Sequence, residues 1–187
     1  MSDPVLSERR IILGLTGSIA AYKTCELVRR LRGLGAEVRV VMTVNAMRFV
    51  GEETMQCLSG KRVLTDMFGS GSEEVPRHLS VRDWADLIVV APATANIIGK
   101  AASAIADDLL STIILSATEK VVFAPAMNSG MYENLLVQEN IAKLRRAGCQ
   151  FVGPQRGVLA SGDEGTGRLA DTNAIIQTIE DVLKDAS

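Results

Sequence analysis

Four short segments of small, hydroxyl-bearing and amide-bearing residues carry the side chains with which this sequence could bind a ligand. They are TGSIA at 16–20, TVN at 43–45, PATAN at 92–96 and PAMN at 125–128. Each segment follows directly after a short apolar run. Because ligands of open α/β folds bind beyond the carboxyl ends of the strands, we expect the four segments to meet at one site.

The first segment favours a phosphate. Gly17 allows a ligand to approach the backbone, and Ser18 can cap a helix whose free N–H groups attract an anion. The dinucleotide pattern GxGxxG is missing, and Thr43 stands where an acidic residue would close the second strand. A mononucleotide phosphate held by Ser18 and Thr43 therefore fits better than NAD. Two helix caps in tight turns are the structural alternative.

The other two segments could bind a flat ring and a carboxylate. Thr94 and Asn96 offer hydrogen bonds beside small residues on which a ring could pack, although a helix turn capped by Asn would look the same. The amide of Asn128 can donate to a carboxylate. Met127 and Met131 could form an adaptable apolar wall, or could simply belong to the core.

His78 is the only histidine of the chain. No serine or cysteine nucleophile motif accompanies it, so a hydrolase triad is not indicated. An imidazole can still act as a base near neutral pH. The alternative is a solvated or capping histidine.

The elements that must position these residues follow from the apolar pattern. Nearly continuous apolar runs are typical of strands buried on both faces of a parallel sheet. Segments of helical periodicity separate the runs, which predicts a single α/β domain, Rossmann-like and doubly wound, with a mostly parallel sheet and helices on both faces. The predicted strands cover residues 11–15, 38–42, 87–91 and 121–124. The predicted helices cover residues 20–34, 53–58, 97–117 with a break at Asp107-Asp108, 135–147 and 173–184.

The remaining segments predict a tail and two loops. Residues 1–9 read as a flexible N-terminal tail, and residues 10–187 as the domain. Polar stretches at 69–77 and 153–167 predict long loops, and the five glycines of the second stretch indicate specific backbone geometry.

Composition excludes several classes of protein. In a chain of 187 residues, a net charge of −2 and 4% aromatic residues argue against nucleic-acid binding. No targeting segment and no apolar stretch long enough to span a bilayer are present, so we expect no membrane partner. Three cysteines without ligand spacing predict reduced thiols, no metal site and a cytoplasmic location.

Taken together, the motifs resemble those of the homo-oligomeric flavin-containing cysteine decarboxylases. The resemblance rests on TGSIAAYK at 16–23, His78, PATAN at 92–96 and PAMNSGM at 125–131, and it extends from residue 11 to about residue 183. The nearest branch of this family acts on 4'-phosphopantothenoylcysteine in coenzyme A biosynthesis.

The resemblance implies FMN as the cofactor and a role for each matching residue. It implies that His78 is the catalytic base and that Asn128 anchors the substrate carboxylate. The glycine-rich stretch 157–168 corresponds to a mobile flap over the substrate. The phosphate side of FMN is assigned to Gly17, Ser18 and Thr43, the flavin lining to Thr94, Asn96 and Ala126, and further substrate contacts to Met131, Ala160 and Gly162.

One position departs from the family pattern. Ser161 occupies the position at which this branch carries a flap cysteine, and that cysteine is needed for the final reduction. By position, Ser161 therefore counts among the catalytic residues. The implied reaction is FMN-dependent decarboxylation through a thioaldehyde and an enethiolate toward 4'-phosphopantetheine, and a serine predicts that it stops at the enethiol. Oxidative decarboxylation of a peptide C-terminal cysteine and a non-catalytic regulatory flavoprotein are the alternatives. His78 together with residues 125–128 argues against a flavin prenyltransferase.

The resemblance also predicts partners. We expect a small-molecule substrate and a homo-oligomer, a trimer or a dodecamer of trimers, with flavin sites at subunit contacts. Bacterial relatives often fuse this domain to a ligase, for which 187 residues leave no room. A monofunctional chain or a fragment is therefore expected.

Overall fold

The computed structural model describes residues 6–67, 77–117, 121–160 and 162–185, with only the backbone of residues 77 and 78. Its strands are β1 (Arg10–Leu15), β2 (Glu37–Met42), β3 (Leu87–Ala93), β4 (Val121–Pro125), β5 (Gln150–Phe151), β6 (Gln155–Val158) and β7 (Glu164–Arg168). Its α-helices are α1 (Thr24–Gly33), α2 (Glu52–Ser59), α3 (Arg77–Trp84), α4 (Ala95–Ala102), α5 (Leu109–Ser116), α6 (Ser129–Tyr132), α7 (Leu135–Arg146) and α8 (Thr172–Asp185). Two 3-10 helices cover Ile19–Lys23 and Ala46–Arg48.

The main sheet is parallel throughout. Its strand order is β2-β1-β3-β4-β5, and every neighbouring pair runs in the same direction. From β1 the chain moves outward to β2 and then crosses back to β3 on the other side of β1. This reversal is the switch point of a doubly wound fold, so the predicted fold class is confirmed.

Helices cover both faces of the sheet, because the strands are apolar on both sides. Ile11 and Leu13 of β1 pack with helices α1, α2 and α8, whereas Ile12 between them packs with α3, α4, α5 and α7. All seven residues of β3 are buried. The four predicted strands are confirmed. The sequence missed β5, an edge strand of two residues that is too short to form an apolar run.

Caps set the boundaries of the helices. The predicted helix 20–34 begins as the 3-10 helix Ile19–Lys23 and becomes α-helical only at Thr24. The predicted break at Asp107-Asp108 is confirmed. There the Asp108 carboxylate accepts from the Ser111 backbone N–H at 2.8 Å, and this capping box starts α5.

Two predictions about irregular segments are wrong. Residues 153–167 do not form a long loop, because β6 and β7 pair as an antiparallel hairpin. These strands are polar and glycine-rich, so they lack the apolar run by which the others were recognised. Residues 1–5 of the predicted tail 1–9 lie outside the described residues, but residues 6–9 contact the domain. Leu6 is only 1% exposed and its backbone N–H donates to the Leu34 carbonyl.

Candidate functional site

The carboxyl ends of β1, β2, β3 and β4 bring the four polar segments to one edge of the sheet. Thr16 ties two of them together. Its hydroxyl donates to the Pro92 carbonyl oxygen at 2.6 Å and accepts from the Thr94 backbone N–H at 3.1 Å, and the residue is 2% exposed. The end of β1 is therefore fixed to the turn that starts α4.

A first cavity, of about 490 Å³, opens beneath the β6–β7 hairpin. We call it the flap-side cavity. Its lining combines Ser18, Lys23, Ala126, Asn128, Ala160 and Arg168. The volume lies in the range of small-molecule sites, and the hairpin contributes one wall.

A second cavity, of about 440 Å³, lies at the ends of β1, β2 and β3. We call it the strand-end cavity. Its lining includes Gly17, Thr43, Asn45, Thr94, Asn96 and Met131. Thr43, Asn45, Thr94 and Asn96 contribute hydroxyl and amide groups to this lining, so it offers hydrogen bonds from neutral side chains.

The structure brings most of the expected site residues into these two cavities. Gly17, Thr43, Thr94, Asn96 and Met131 share the strand-end cavity, whereas Ser18, Ala126, Asn128 and Ala160 line the flap-side cavity. Neighbours in sequence are thus divided between the cavities, since Gly17 lines one and Ser18 lines the other.

Three of the expected site residues are not found in the lining of either cavity. Gly162, with φ of +90°, lines neither of the two cavities. The side chain of His78 and the whole of Ser161 lie outside the described residues. The predicted loop 69–77 also falls outside them, except that Arg77 begins α3.

Several candidate ligands also serve as caps. The Ser18 hydroxyl accepts from the Ala20 backbone N–H at 3.3 Å, and the Thr43 hydroxyl accepts from Ala46 at the same distance. Thr94, not Asn96, caps α4. The structural alternative of capping therefore holds for these hydroxyls. The Thr43 hydroxyl also donates to the Leu15 carbonyl oxygen at 3.3 Å. The Ser18 and Thr94 hydroxyls each accept one N–H bond, and their own hydrogen can still be donated to a ligand.

Asn128 has a fixed amide. Its side-chain oxygen accepts from the Gly130 backbone N–H at 2.9 Å, which orients the group at the start of α6. Within the described chain, no residue accepts a hydrogen bond from its Nδ2. The side chain is exposed to the flap-side cavity, so it can donate there to an anionic oxygen.

Two glycines make close backbone packing at the site possible. A β-carbon at Gly17 would lie 2.5 Å from the Asn45 Cβ, and one at Gly167 would lie 2.1 Å from the Met127 carbonyl oxygen. Real β-carbons do not approach other atoms so closely. These positions therefore hold the segments of the site in direct contact.

The sequence analysis missed four charged residues of the site. Lys23 and Arg168 line the flap-side cavity, while Lys100 and Asp108 line the strand-end cavity. Lys23 and Arg168 are the last residues of the segments 16–23 and 157–168, so their place in these motifs could have identified them. Lys100 is neutralised, since its Nζ lies 2.6 Å from Asp107 and 2.9 Å from Asp108.

Electrostatics differ between the two lysines. Hydrogen bonding to Asp107 raises the pKa of Lys100 above its usual value, against the effect of burial. Burial, followed by repulsion from Arg168, lowers the pKa of Lys23. Burial alone would raise the pKa of Asp108, but hydrogen bonds from Ser111 and Lys100 hold it below its usual value.

Other kinds of site find no support in the described part of the chain. No helix there is long and apolar enough to cross a membrane. Likewise, the His, Cys, Asp and Glu side chains of those residues form no group of three or more that could hold a metal ion.

Comparisons with known proteins agree with this architecture. The chain is 47% identical over 176 residues to the coenzyme A biosynthesis bifunctional protein CoaBC of Bacillus subtilis (strain 168). That match covers 94% of this chain but only 43% of the relative, so the chain spans less than half of the curated protein.

Solved structures match along nearly the whole chain. The FMN-dependent cysteine decarboxylase SpaF is 32% identical, with a TM-score of 0.85, over 97% of this chain and 98% of that one. A PPC decarboxylase mutant complexed with pantothenoylaminoethenethiol is also 32% identical, with a TM-score of 0.83, over 96% and 99%. Residues 3–184 match the family described as Flavoprotein, and the chain belongs to that family.

Proposed function

We propose that this chain is an FMN-dependent decarboxylase of 4'-phosphopantothenoylcysteine, acting toward 4'-phosphopantetheine in coenzyme A biosynthesis. The observation that carries the proposal is the 47% identity to a coenzyme A biosynthesis protein over 94% of the chain. The solved PPC decarboxylase complex, at 32% identity over nearly its full length, supports the same substrate.

The residues present fit FMN. The strand-end cavity offers hydroxyls and amides from Thr43, Thr94 and Asn96, and its one described acidic side chain, Asp108, is paired with Lys100. A phosphate or a ribityl chain therefore meets donors without an opposing free carboxylate. We assign the phosphate side to Gly17, Ser18 and Thr43, and the flavin lining to Thr94, Asn96 and Ala126.

Decarboxylation of a cysteine needs an electron sink, which the saturated thiol lacks. FMN, when bound, supplies the electron-accepting ring that oxidises the thiol to a thioaldehyde. The carboxylate can then leave as CO2, and its electron pair remains on the substrate as an enethiolate.

The chain itself orients the substrate and moves a proton. The Nδ2 of Asn128 donates to the carboxylate, which holds it in place without adding a full positive charge. His78 acts as the base for the substrate proton. Among the further substrate contacts that we propose, Ala160 lines the flap-side cavity and Met131 lines the strand-end cavity, whereas Gly162 lies in the turn between β6 and β7 and lines neither cavity of the single chain. The β6–β7 hairpin excludes water from the flap-side cavity.

We also propose a homo-oligomer, a trimer or a dodecamer of trimers, in the cytoplasm. Val44, Leu135 and Leu136 are 72%, 70% and 67% exposed in the single chain, and the two leucines are adjacent at the start of α7. Subunit contacts would cover such residues. A compartment that keeps thiols reduced suits a thiol substrate.

The test is turnover of defined substrates by the purified protein. We expect FMN on release by denaturation, and CO2 with a decarboxylated product from 4'-phosphopantothenoylcysteine. Turnover only of peptides that end in cysteine would favour the peptide decarboxylase class. Bound flavin without turnover of either substrate would favour a regulatory flavoprotein and contradict the proposal.

A further inference from the structure

The flap-side cavity contains two cations that the proposed chemistry has not used. Lys23 is the last residue of the 3-10 helix that follows Ser18, and Arg168 is the last residue of β7. They are 145 positions apart in sequence, yet both line this cavity. Arg168 follows Gly167, whose carbonyl accepts from the Met127 backbone N–H, so its backbone position is fixed against the loop after β4.

Neither cation has an acidic partner in the part of the chain that the structure describes. The ion pairs found there engage other basic residues, among them Arg10, Lys61 and Lys100. Lys23 is half-buried, and its repulsion by Arg168 contributes to its lowered pKa. Two like charges held together without a counter-charge are disfavoured, and an anionic ligand would relieve that repulsion.

We propose that Lys23 and Arg168 form an anion subsite for the phosphate of the substrate and select the phosphorylated over the dephosphorylated form. This inference rests on the proposed function. A phosphate monoester carries a charge of about −1.5 to −2 at pH 7, which two cations match. The guanidinium can bind it in a bidentate way and the ammonium as a point charge.

The substrate carboxylate is a poorer occupant. It must leave as neutral CO2, so two full positive charges would stabilise the ground state that the reaction has to leave. The neutral amide of Asn128, in the same cavity, orients a carboxylate without that penalty. The phosphate keeps its charge throughout the reaction, so its binding energy is not lost at the transition state.

The cofactor phosphate is also a poorer occupant. The hairpin forms one wall of the flap-side cavity through Leu159, Ala160 and Arg168. A substrate enters and leaves at each turnover and needs a wall that can open, whereas a resident cofactor does not. Of the three residues assigned to the FMN phosphate, only Ser18 lines the flap-side cavity, whereas Gly17 and Thr43 line the strand-end cavity.

The test compares 4'-phosphopantothenoylcysteine with pantothenoylcysteine as substrates of the holoenzyme. In Lys23→Gln and Arg168→Gln, the ratio of the two kcat/KM values should fall about 10–100-fold, the size expected for losing a charge-assisted hydrogen bond. Lys143→Gln, on the exposed surface of α7, removes one positive charge outside the cavities and should leave the ratio unchanged.

Equilibrium binding gives a second measurement that does not need turnover. Calorimetric titration with 4'-phosphopantetheine and pantetheine should show a preference for the phosphorylated ligand that both variants lose. An equal loss of affinity for 4'-phosphopantetheine and pantetheine would overturn the inference. Variants that bind FMN more weakly but riboflavin as well as the parent would also overturn it, because the two cations would then bind the phosphate of the cofactor. If the parent protein turns over neither substrate, the proposed function fails, and the titration alone decides on the subsite.

Discussion

Gly167 and Met127 are in direct backbone contact. The Met127 N–H donates to the Gly167 carbonyl at 3.0 Å, and a β-carbon at Gly167 would lie 2.1 Å from the Met127 carbonyl oxygen. This contact joins the second strand of the hairpin to the loop that presents Asn128. Movement of the hairpin and the position of Asn128 are therefore coupled through the backbone.

Gly167→Ala should separate the hairpin from this loop. We expect a loss of about 1–3 kcal/mol in the free energy of unfolding, because a methyl group has no space there, and a larger loss of turnover. Gly33→Ala is the matched control, since a β-carbon at Gly33 meets no atom within 4 Å. Thermal unfolding and turnover of the two variants make the comparison. Equal behaviour would contradict the role given to the contact.

Thr16→Val should weaken the link between the end of β1 and the start of α4. The change leaves the Pro92 carbonyl and the Thr94 N–H without their buried partner, which should cost about 1–3 kcal/mol in the free energy of unfolding. Thr16→Ser keeps the hydroxyl and should retain most of this stability. Urea denaturation distinguishes the two variants, and a Val variant as stable as the Ser variant would show that the hydroxyl is dispensable.

Asp86 should make stability depend on pH. Burial alone would raise its pKa, but hydrogen bonds from the Arg10 side chain and backbone hold the pKa below its usual value. Such a carboxylate stabilises the folded state above its unfolded pKa of about 3.9, and this stabilisation disappears as the pH falls through the folded pKa.

The corresponding variant is Asp86→Asn. It should lower the free energy of unfolding by about 0.5–1 kcal/mol at pH 7, a modest value because the ion pair is partly exposed. The difference from the parent should shrink in urea titrations as the pH falls below about 3.9 and through the lowered folded pKa. Glu26→Gln, which breaks an exposed pair with Arg29, controls for the loss of one negative charge. A difference that stays constant as the pH is lowered through this range would exclude the ionised carboxylate as its source.

His78→Asn should reduce turnover by about 10²–10⁴-fold, since loss of a general base has this size. Flavin content should stay the same, because the proposed FMN residues lie elsewhere in the sequence. Visible absorbance per chain checks the flavin, and product formation checks the chemistry. Activity within about twofold of the parent would mean that His78 is a solvated or capping histidine and not the catalytic base.

Ser161→Cys should change the product. A thiol has an ordinary pKa of about 8.5 and can donate a proton to an enethiolate, whereas a serine hydroxyl is a far weaker acid. We expect the parent chain to release the enethiol and to leave reduced FMN, which oxygen slowly reoxidises. In the cysteine variant those two electrons should return to the substrate, which gives 4'-phosphopantetheine, two hydrogens heavier by mass spectrometry. Ser161→Ala should match the parent. Saturated product from the parent at a normal rate would mean that another group donates the proton.

The sequence alone determined the parallel α/β fold. Apolar runs such as 87–91 have no polar face, and only a sheet covered on both sides buries them completely. The same pattern places the polar segments directly after the strands. The sequence therefore predicts that Thr43, Thr94 and Asn128 lie at one edge of the sheet. The break predicted at Asp107-Asp108 likewise lies directly before α5.

Tertiary structure alone decided how those residues are grouped. Ser18 and Gly17 are adjacent in sequence but line different cavities, and Lys23 and Arg168 line one cavity from distant parts of the chain. The hairpin was invisible because its polar, glycine-rich strands bury little surface. Its position is set by backbone contact with Met127, for which only a glycine leaves space. Such non-local contacts depend on the packing of whole elements, which local sequence patterns do not encode.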